Sequence, residues 1–333
     1  MSELRQNPAT KKWVIISKER AKRPYEYTNK KKNLLDELPA YSETCPFCPG
    51  NEDKLPEEGI IYERKKSDNE WTVRVVPNKF PALTRCGNVE REEIDNLFLL
   101  MAGVGCHEVI IENPIHNTTI GLLPKEDVAE IIYTYRERFL SLSKDKRFKT
   151  VIIFKNHGEG AGTSLEHPHS QLIATPIVPQ HIRHRIHEAV GYYDDWGKCV
   201  YCSSIKTELK QKERIISETE HFTAFVPFAA ALPFETTIIP KRHAATFGEI
   251  NDSEISDLSK ILSNVLRTLY RKLNNPDYNY IIHTAPFSDK GEDYYHWHIE
   301  ILPRLTKLAG FEMGSGIYIN TSIPEECASF LQK

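Results

Sequence analysis

Residues 150–171 read TVIIFKNHGEGAGTSLEHPHSQ, and residues 278–300 read YNYIIHTAPFSDKGEDYYHWHIE. Each contains a run that reads as a strand, Thr150-Val151-Ile152-Ile153-Phe154 in one and Tyr280-Ile281-Ile282 in the other. Each then closes on a His-x-His pair, His167-Pro168-His169 and His296-Trp297-His298. Working outward, the preceding segments correspond too. Val128, Ile131, Ile132, Tyr135, Phe139 and Leu142 fall at helical steps before the first run, and Ile255, Leu258, Ile261, Leu262, Val265 and Leu269 before the second. Further back, a strand-like segment leads to a histidine behind a proline: Glu108–Ile111 to His116, and Thr236–Ile239 to His243. Before these stand two C-x-x-C pairs, Cys45/Cys48 and Cys199/Cys202. From His116 to His167 is 51 positions, and from His243 to His296 is 53. Shared order and near-equal spacing predict a duplicated α+β unit, divided into residues 1–178 and 179–333. The mixed order of strands and helices lacks the strict alternation of a parallel sheet, so antiparallel sheets flanked by helices are expected. The two units would share one extended sheet or pack as a pseudo-dimer.

The chain has 333 residues, 40% of them hydrophobic and 27% charged, with a formal net charge of -3. That charge gives no general attraction to phosphate backbones, and no Arg/aromatic run is present, which counts against a nucleic-acid-binding module. No apolar stretch is long enough to span a bilayer, and the first residues lack a secretory apolar region. A soluble, cytoplasmic protein is expected.

Four of the 7 cysteines fall in the C-x-x-C pairs. A thioredoxin-like redox role would account for one pair but for neither the second pair nor the histidines. Zinc takes four soft or borderline ligands in a tetrahedron, and a C-x-x-C turn supplies two thiolates. Cys45, Cys48, His116 and His167 make one candidate set; Cys199, Cys202, His243 and His296 make the other. A Cys2His2 set leaves no position for water, so both sites would be structural.

On a strand, side chains two apart share a face, so His169 and Gln171 would stand beside a metal-anchored His167. The loop Gly158-Glu159-Gly160-Ala161-Gly162-Thr163-Ser164 can turn backbone N–H groups and hydroxyls toward an anion. Imidazole is a competent nucleophile toward phosphorus at neutral pH, and Gln171 could hydrogen-bond a phosphoryl oxygen. On spacing alone, a second reading stays open, in which both histidines of His167-Pro168-His169 are metal ligands only. His181, His184 and His187, beside Arg183 and Arg185, read as a solvated helix face. His298 lacks both the Gly-rich approach and the glutamine, so it reads as an extra metal ligand or a structural hydrogen bond.

Taken together, these motifs resemble the galactose-1-phosphate uridylyltransferases of the histidine-triad superfamily over nearly the whole chain. The resemblance rests on Arg20-Ala21-Lys22-Arg23-Pro24, Cys45-x-x-Cys48 followed by Gly50-Asn51, Asn78, Pro114-x-His116, and Asn156 with Gly162 and Ser164. It continues through His167-Pro168-His169-x-Gln171, His296-x-His298 and Gly310-Phe311-Glu312. It implies two tandem histidine-triad-like domains, usually in a homodimer, and ping-pong transfer of UMP from UDP-glucose to a hexose 1-phosphate in galactose metabolism. His169 would be the nucleophile, with Gln171 and Ser164 on the phosphoryl oxygens. Asn156 with Gly162 would hold the substrate, Arg20 and Arg23 would lie near the phosphates, Asn78 by the nucleoside, and Phe311 and Glu312 near the sugar. The first Cys2His2 set matches the family's zinc site.

Lys79 stands where well-known members have Asp, Ser170 where Gly or Cys is common, and Phe311 where Tyr is usual. Residues 313–320 are unlike the usual arm. In some members the second metal site uses Glu and three histidines, whereas Cys199 and Cys202 point to zinc. These traits resemble the branch that includes plant ADP-glucose phosphorylases, making adenylyl transfer the alternative activity.

Overall fold

Alternation along the β-branched runs decides which face each strand buries. In Thr150–His157, the side chains of Val151, Ile153 and Lys155 are buried, while Ile152, Phe154 and Asn156 are partly covered on the opposite face. The computed structural model describes residues 1–20, 22–28, 35, 37–68 and 70–332, the side chain of Arg20 excepted.

Ten strands form the main sheet: β1 (Tyr62–Ser67), β2 (Glu70–Pro77), β3 (Cys106–Ile111), β4 (Thr150–His157) and β5 (His169–Thr175), then β6 (Ile215–Glu218), β7 (Phe222–Phe225), β8 (Thr236–Pro240), β9 (Tyr278–His283) and β10 (His298–Pro303). Their order is β6-β7-β8-β10-β9-β4-β5-β3-β2-β1, and every neighbouring pair is antiparallel. Read outward from the central β4–β9 pair, the halves are identical: β4-β5-β3-β2-β1 and β9-β10-β8-β7-β6. The duplication is therefore a five-stranded unit used twice, sealed by a ladder from Tyr278↔His157 to Ile282↔Ile153. The shared extended sheet, rather than separately packed units, is the arrangement adopted.

The helices in chain order are α1 (Lys125–Leu142), α2 (Gln180–Trp196), α3 (Val200–Gln211) and α4 (Asp252–Leu273); α1 of the first half and the corresponding α4 of the second cover one face and pack on each other. All twelve residues read as the two helical stripes are buried. They join strand residues of both halves in a single hydrophobic core. A capping box starts α4: Asn251 Oδ1 accepts the Glu254 N–H, and the Glu254 carboxylate accepts the Asn251 N–H. Asn274, left-handed at φ 56°, ends it.

The N-terminal strands Glu3–Gln6 and Trp13–Ile16 pack on the second half, in a small sheet with Tyr318–Asn320. Val14 and Ile16 pack against Ala229 there. Position in the chain gave no sign of this return, because parallel pairing of residues 304 apart leaves no local pattern. A hairpin of Arg91–Ile94 and Phe98–Met101 projects with Leu97, Phe98, Leu99 and Leu100 exposed. No helix among the described residues is long and apolar enough to cross a membrane.

Candidate functional site

The sheet face opposite α1 and α4 gathers the candidate site residues. At the start of β5, Cys45, Cys48, His116 and His167 converge, with ligand atoms within 4.8 Å of one another. Cys48 Sγ lies 3.5 Å from His116 Nδ1 and 3.6 Å from His167 Nδ1. Zinc–sulfur and zinc–nitrogen bonds of about 2.3 and 2.0–2.1 Å set tetrahedral neighbours about 3.5 Å apart, so the donor set fits such an ion. His167 Nε2 faces the Asn113 carbonyl at 2.8 Å. A carbonyl only accepts, so Nε2 carries the proton and Nδ1 turns its lone pair toward the thiols. The second set, Cys199, Cys202, His243 and His296, is built alike. Cys202 Sγ stands 3.3 and 3.4 Å from the two Nδ1 atoms, and His243 Nε2 is 3.2 Å from the Glu292 carbonyl. Both clusters can hold a metal ion.

His169 is buried beside the first cluster, and burial pushes its imidazole below the usual histidine range, keeping it neutral. Its Nδ1 lies 2.8 Å from the His167 carbonyl. By the same acceptor argument Nδ1–H donates there, which leaves the Nε2 lone pair free. Phe47, inside the first C-x-x-C turn, packs against this ring at 5.6 Å between centroids. Beneath it, Lys155 Nζ donates to the His169 carbonyl at 3.0 Å and to Glu112 Oε2 at 2.6 Å, with both charges fully buried. Ser170 points into the core, where its Oγ lies 2.7 Å from the Tyr135 hydroxyl, itself hydrogen-bonded to Tyr280 of the other half.

The Gly-rich loop leaves β4 at Gly158, whose φ of +83° and nearest neighbour exclude a side chain: a Cβ would stand 1.9 Å from Asp277 Oδ1. Residues of the second half hold this loop. Asp277 accepts the Gly160 N–H at 2.7 Å, and Asn279 Nδ2 donates to the Ala161 carbonyl at 2.9 Å and to Asn156 Oδ1 at 2.8 Å. Asn156 thus lies under the loop, while Gly162 and Ser164 are exposed on it. Gln171 and Asn78 are half-buried on the same side, both against His107.

The second His-x-His pair has the same backbone and a different environment. His298 Nδ1 lies 3.1 Å from the His296 carbonyl, but its Nε2 faces Arg185 Nη1 at 3.3 Å. Arg185 pairs with Glu300, which stands where the first half has Gln171. An arginine occupying the Nε2 lone pair and a carboxylate facing any incoming phosphate both oppose phosphoryl transfer. His298 therefore has the structural hydrogen bonds that its sequence context indicated, and it lies outside the second metal cluster. His184 and His187 are exposed as read, whereas Arg185 between them turns inward.

Arg23 is exposed, with Nη1 3.3 Å from Tyr25 OH; the side chain of Arg20 lies outside the described residues. Phe311 is exposed and Glu312 half-buried on the short helix α5 (Gly310–Ser315), close in the chain to the strand Tyr318–Asn320. Sequence reading missed His107, Phe47, Lys155, Glu112, Asp277 and Asn279. Of these, His107 had one signal, being in phase with Val109 and Ile111 on a strand opposite His169 and Gln171.

Residues 1–179 match the model described as galactose-1-phosphate uridyl transferase, N-terminal domain, and residues 180–315 match the corresponding C-terminal domain. The chain belongs to this family. Within the family it is 35% identical to the ADP-glucose phosphorylase of Arabidopsis thaliana, over 99% of this chain and 92% of that protein. It is 31% identical to the galactose-1-phosphate uridylyltransferase of Thermotoga maritima, over 100% of this chain and 98% of that one. The crystal structure of the Arabidopsis thaliana ADP-glucose phosphorylase with bound ADP-glucose superposes with a TM-score of 0.83, at 34% identity and covering 100% of this chain and 98% of that chain.

Proposed function

We propose that this protein is a nucleotidyltransferase that moves UMP from UDP-glucose to a hexose 1-phosphate through a covalent nucleotidyl-His169. The carrying observation is the fixed tautomer of His169, with Nδ1–H on the His167 carbonyl and Nε2 free. Nε2 attacks the α-phosphorus, the bond to the hexose 1-phosphate oxygen breaks, and that product leaves with the electron pair. The N–P bond leaves the ring cationic, a charge the His167 carbonyl stabilises through Nδ1–H. An acceptor hexose 1-phosphate then attacks phosphorus, and the N–P bond returns its electrons to Nε2. Gln171, Ser164 and the loop at Gly162 serve the phosphoryl oxygens, Asn156 holds the substrate, and Asn78 serves the nucleoside.

Both metal clusters are read as zinc, since thiolate-imidazole sets of tetrahedral spacing suit it. The ion held by Cys45, Cys48, His116 and His167 anchors the backbone that carries His169, and the one held by Cys199, Cys202, His243 and His296 ties the start of α3 to the segments after β8 and before β10. Cys48→Ser is expected to remove one zinc per chain and most of the turnover, and Cys202→Ser the other zinc with a much smaller loss, as metal analysis and rate assays of the purified variants would check. A cytoplasmic location suits such thiolates, which need a reducing compartment.

A homodimer fits two features. Leu97, Phe98, Leu99 and Leu100 form an exposed apolar surface on the hairpin. The segments of Arg23 and of Phe311 and Glu312 adjoin the small sheet of Trp13–Ile16 and Tyr318–Asn320, and in such a dimer a neighbouring protomer's segment would complete each site. The divisions 1–178 and 179–333 are read as histidine-triad-like domains of which only the first is catalytic.

One observation favours a second reading, adenylyl transfer from ADP-glucose. The exposed Lys79 beside Asn78 carries only donors and cannot accept the N3–H of uracil. Initial-rate kinetics with UDP-glucose and ADP-glucose, against galactose 1-phosphate and inorganic phosphate, separate the two. Parallel double-reciprocal lines with UDP-glucose and galactose 1-phosphate support the first reading, and turnover confined to ADP-glucose and phosphate supports the second.

A further inference from the structure

His107 has not so far been given a part in the reaction. It stands on β3 opposite Ile173 of β5, which makes it the diagonal neighbour of Gln171 on the catalytic face. Three polar groups lie within hydrogen-bond distance of its ring. The Ala82 backbone N–H donates to Nδ1 at 3.2 Å. Gln171 Oε1 lies 2.8 Å from Nε2, and Asn78 Nδ2 lies 3.1 Å from the same nitrogen.

The backbone donor settles the tautomer. An amide N–H cannot act as an acceptor, so Nδ1 presents its lone pair to Ala82, and in the neutral ring Nε2 carries the proton. That proton goes to Gln171 Oε1, the acceptor at hydrogen-bond distance. The orientation of the Gln171 amide follows: its oxygen is taken up by His107, and its NH2 group has no other hydrogen-bond partner among the described residues. Asn78 is fixed in turn, since its Oδ1 accepts the Phe80 N–H at 2.9 Å and its own N–H donates to the His107 carbonyl at 2.9 Å. Its amide nitrogen gains no acceptor from the protonated Nε2, which leaves those protons for a ligand.

We infer that His107 is a positioning residue that locks the Gln171 side-chain amide with its N–H groups toward the transferring phosphoryl group. This rests on the reading of His169 as nucleophile. A glutamine free to rotate presents oxygen to an anionic phosphoryl group as readily as it presents nitrogen, and the oxygen orientation repels. Locking the donor orientation before the substrate arrives removes that cost from both half-reactions, because the same phosphoryl oxygens are stabilised in each.

The test measures the single-turnover rate of nucleotide transfer onto the protein and off it, using whichever of UDP-glucose and ADP-glucose the wild type accepts. His107→Leu, which keeps bulk and lacks a donor, is expected to slow both half-reactions by about 10- to 100-fold, somewhat less than loss of a direct oxyanion donor, with little change in nucleotide-sugar KM. His107→Gln retains an N–H and is expected to recover most of the rate. Gln171→Ala should lose at least as much as His107→Leu, and the double variant His107→Leu/Gln171→Ala no more than Gln171→Ala alone, because the histidine then has nothing to orient. A rate for His107→Leu within a few-fold of wild type overturns the inference. So does a double variant that loses the product of the two single effects, which marks a general structural role. His169→Ala serves as the separate control: adduct formation by that variant would refute the nucleophile reading itself, whatever His107 does.

Discussion

Replacing His169 by alanine is expected to lower turnover by about 10⁴- to 10⁶-fold, the range for loss of a covalent nucleophile, with fold and metal content retained. No other imidazole near the site can substitute. His298 has its Nε2 against Arg185. His107 has its Nε2 proton committed to Gln171. His157 is half-buried, stacked on Tyr278 at 4.7 Å and 2.7 Å from Asn275 Oδ1, and desolvation holds its pKa down to about 4. The fold should survive because the lost group makes one hydrogen bond, to the His167 carbonyl, worth about 0.5–1.5 kcal/mol. His167, Cys45, Cys48 and His116 are untouched. Steady-state rates with circular dichroism and metal analysis of the same preparation check this. A variant that lost its metal and unfolded would instead make His169 a ligand.

The second large effect is expected beneath His169. Lys155 and Glu112 form an ion pair with side chains 2% and 0% exposed, so neither charge has solvent to fall back on. Removing one partner of such a pair costs about 3–5 kcal/mol, because the other is left buried and uncompensated. Glu112→Ala and Lys155→Ala should each lose stability of that order in denaturant titration. Glu112→Leu/Lys155→Met, which removes both charges and keeps volume, should recover most of it. Turnover should not recover in parallel, since Lys155 also donates to the His169 carbonyl and its loss frees the backbone that aims the ring. Near-additive stability losses in the double variant would show that the pair is not coupled.

Much of this was legible in the sequence because it is local or repeated. The His-x-His pairs, the C-x-x-C pairs and the two helical stripes follow periods of two to four residues, and their recurrence in one order exposed the duplicated half-sheet. What stayed hidden depends on strand register and on contacts distant in the chain. Nothing local in Cys106–Ile111 says that His107 comes opposite Ile173 and so reaches Gln171. Lys155 follows the β-branched run without any local sign of burial, and it turns inward where Glu112, 43 positions earlier, supplies a buried carboxylate. Arg185 sat in a polar helix segment, and only the fold shows it capping His298. Asp277 and Asn279 hold the Gly-rich loop, so the second half supports the candidate site of the first.

Intact-protein mass spectrometry, after incubation with UDP-glucose and separately with ADP-glucose in the absence of acceptor, tests the covalent account most directly. A gain of one nucleoside monophosphoryl group per chain is expected, from UDP-glucose in the first reading and ADP-glucose in the second. The adduct should be absent in His169→Ala and discharged on adding the acceptor. Zinc-replete protein that turns over either nucleotide sugar and never carries an adduct would contradict it.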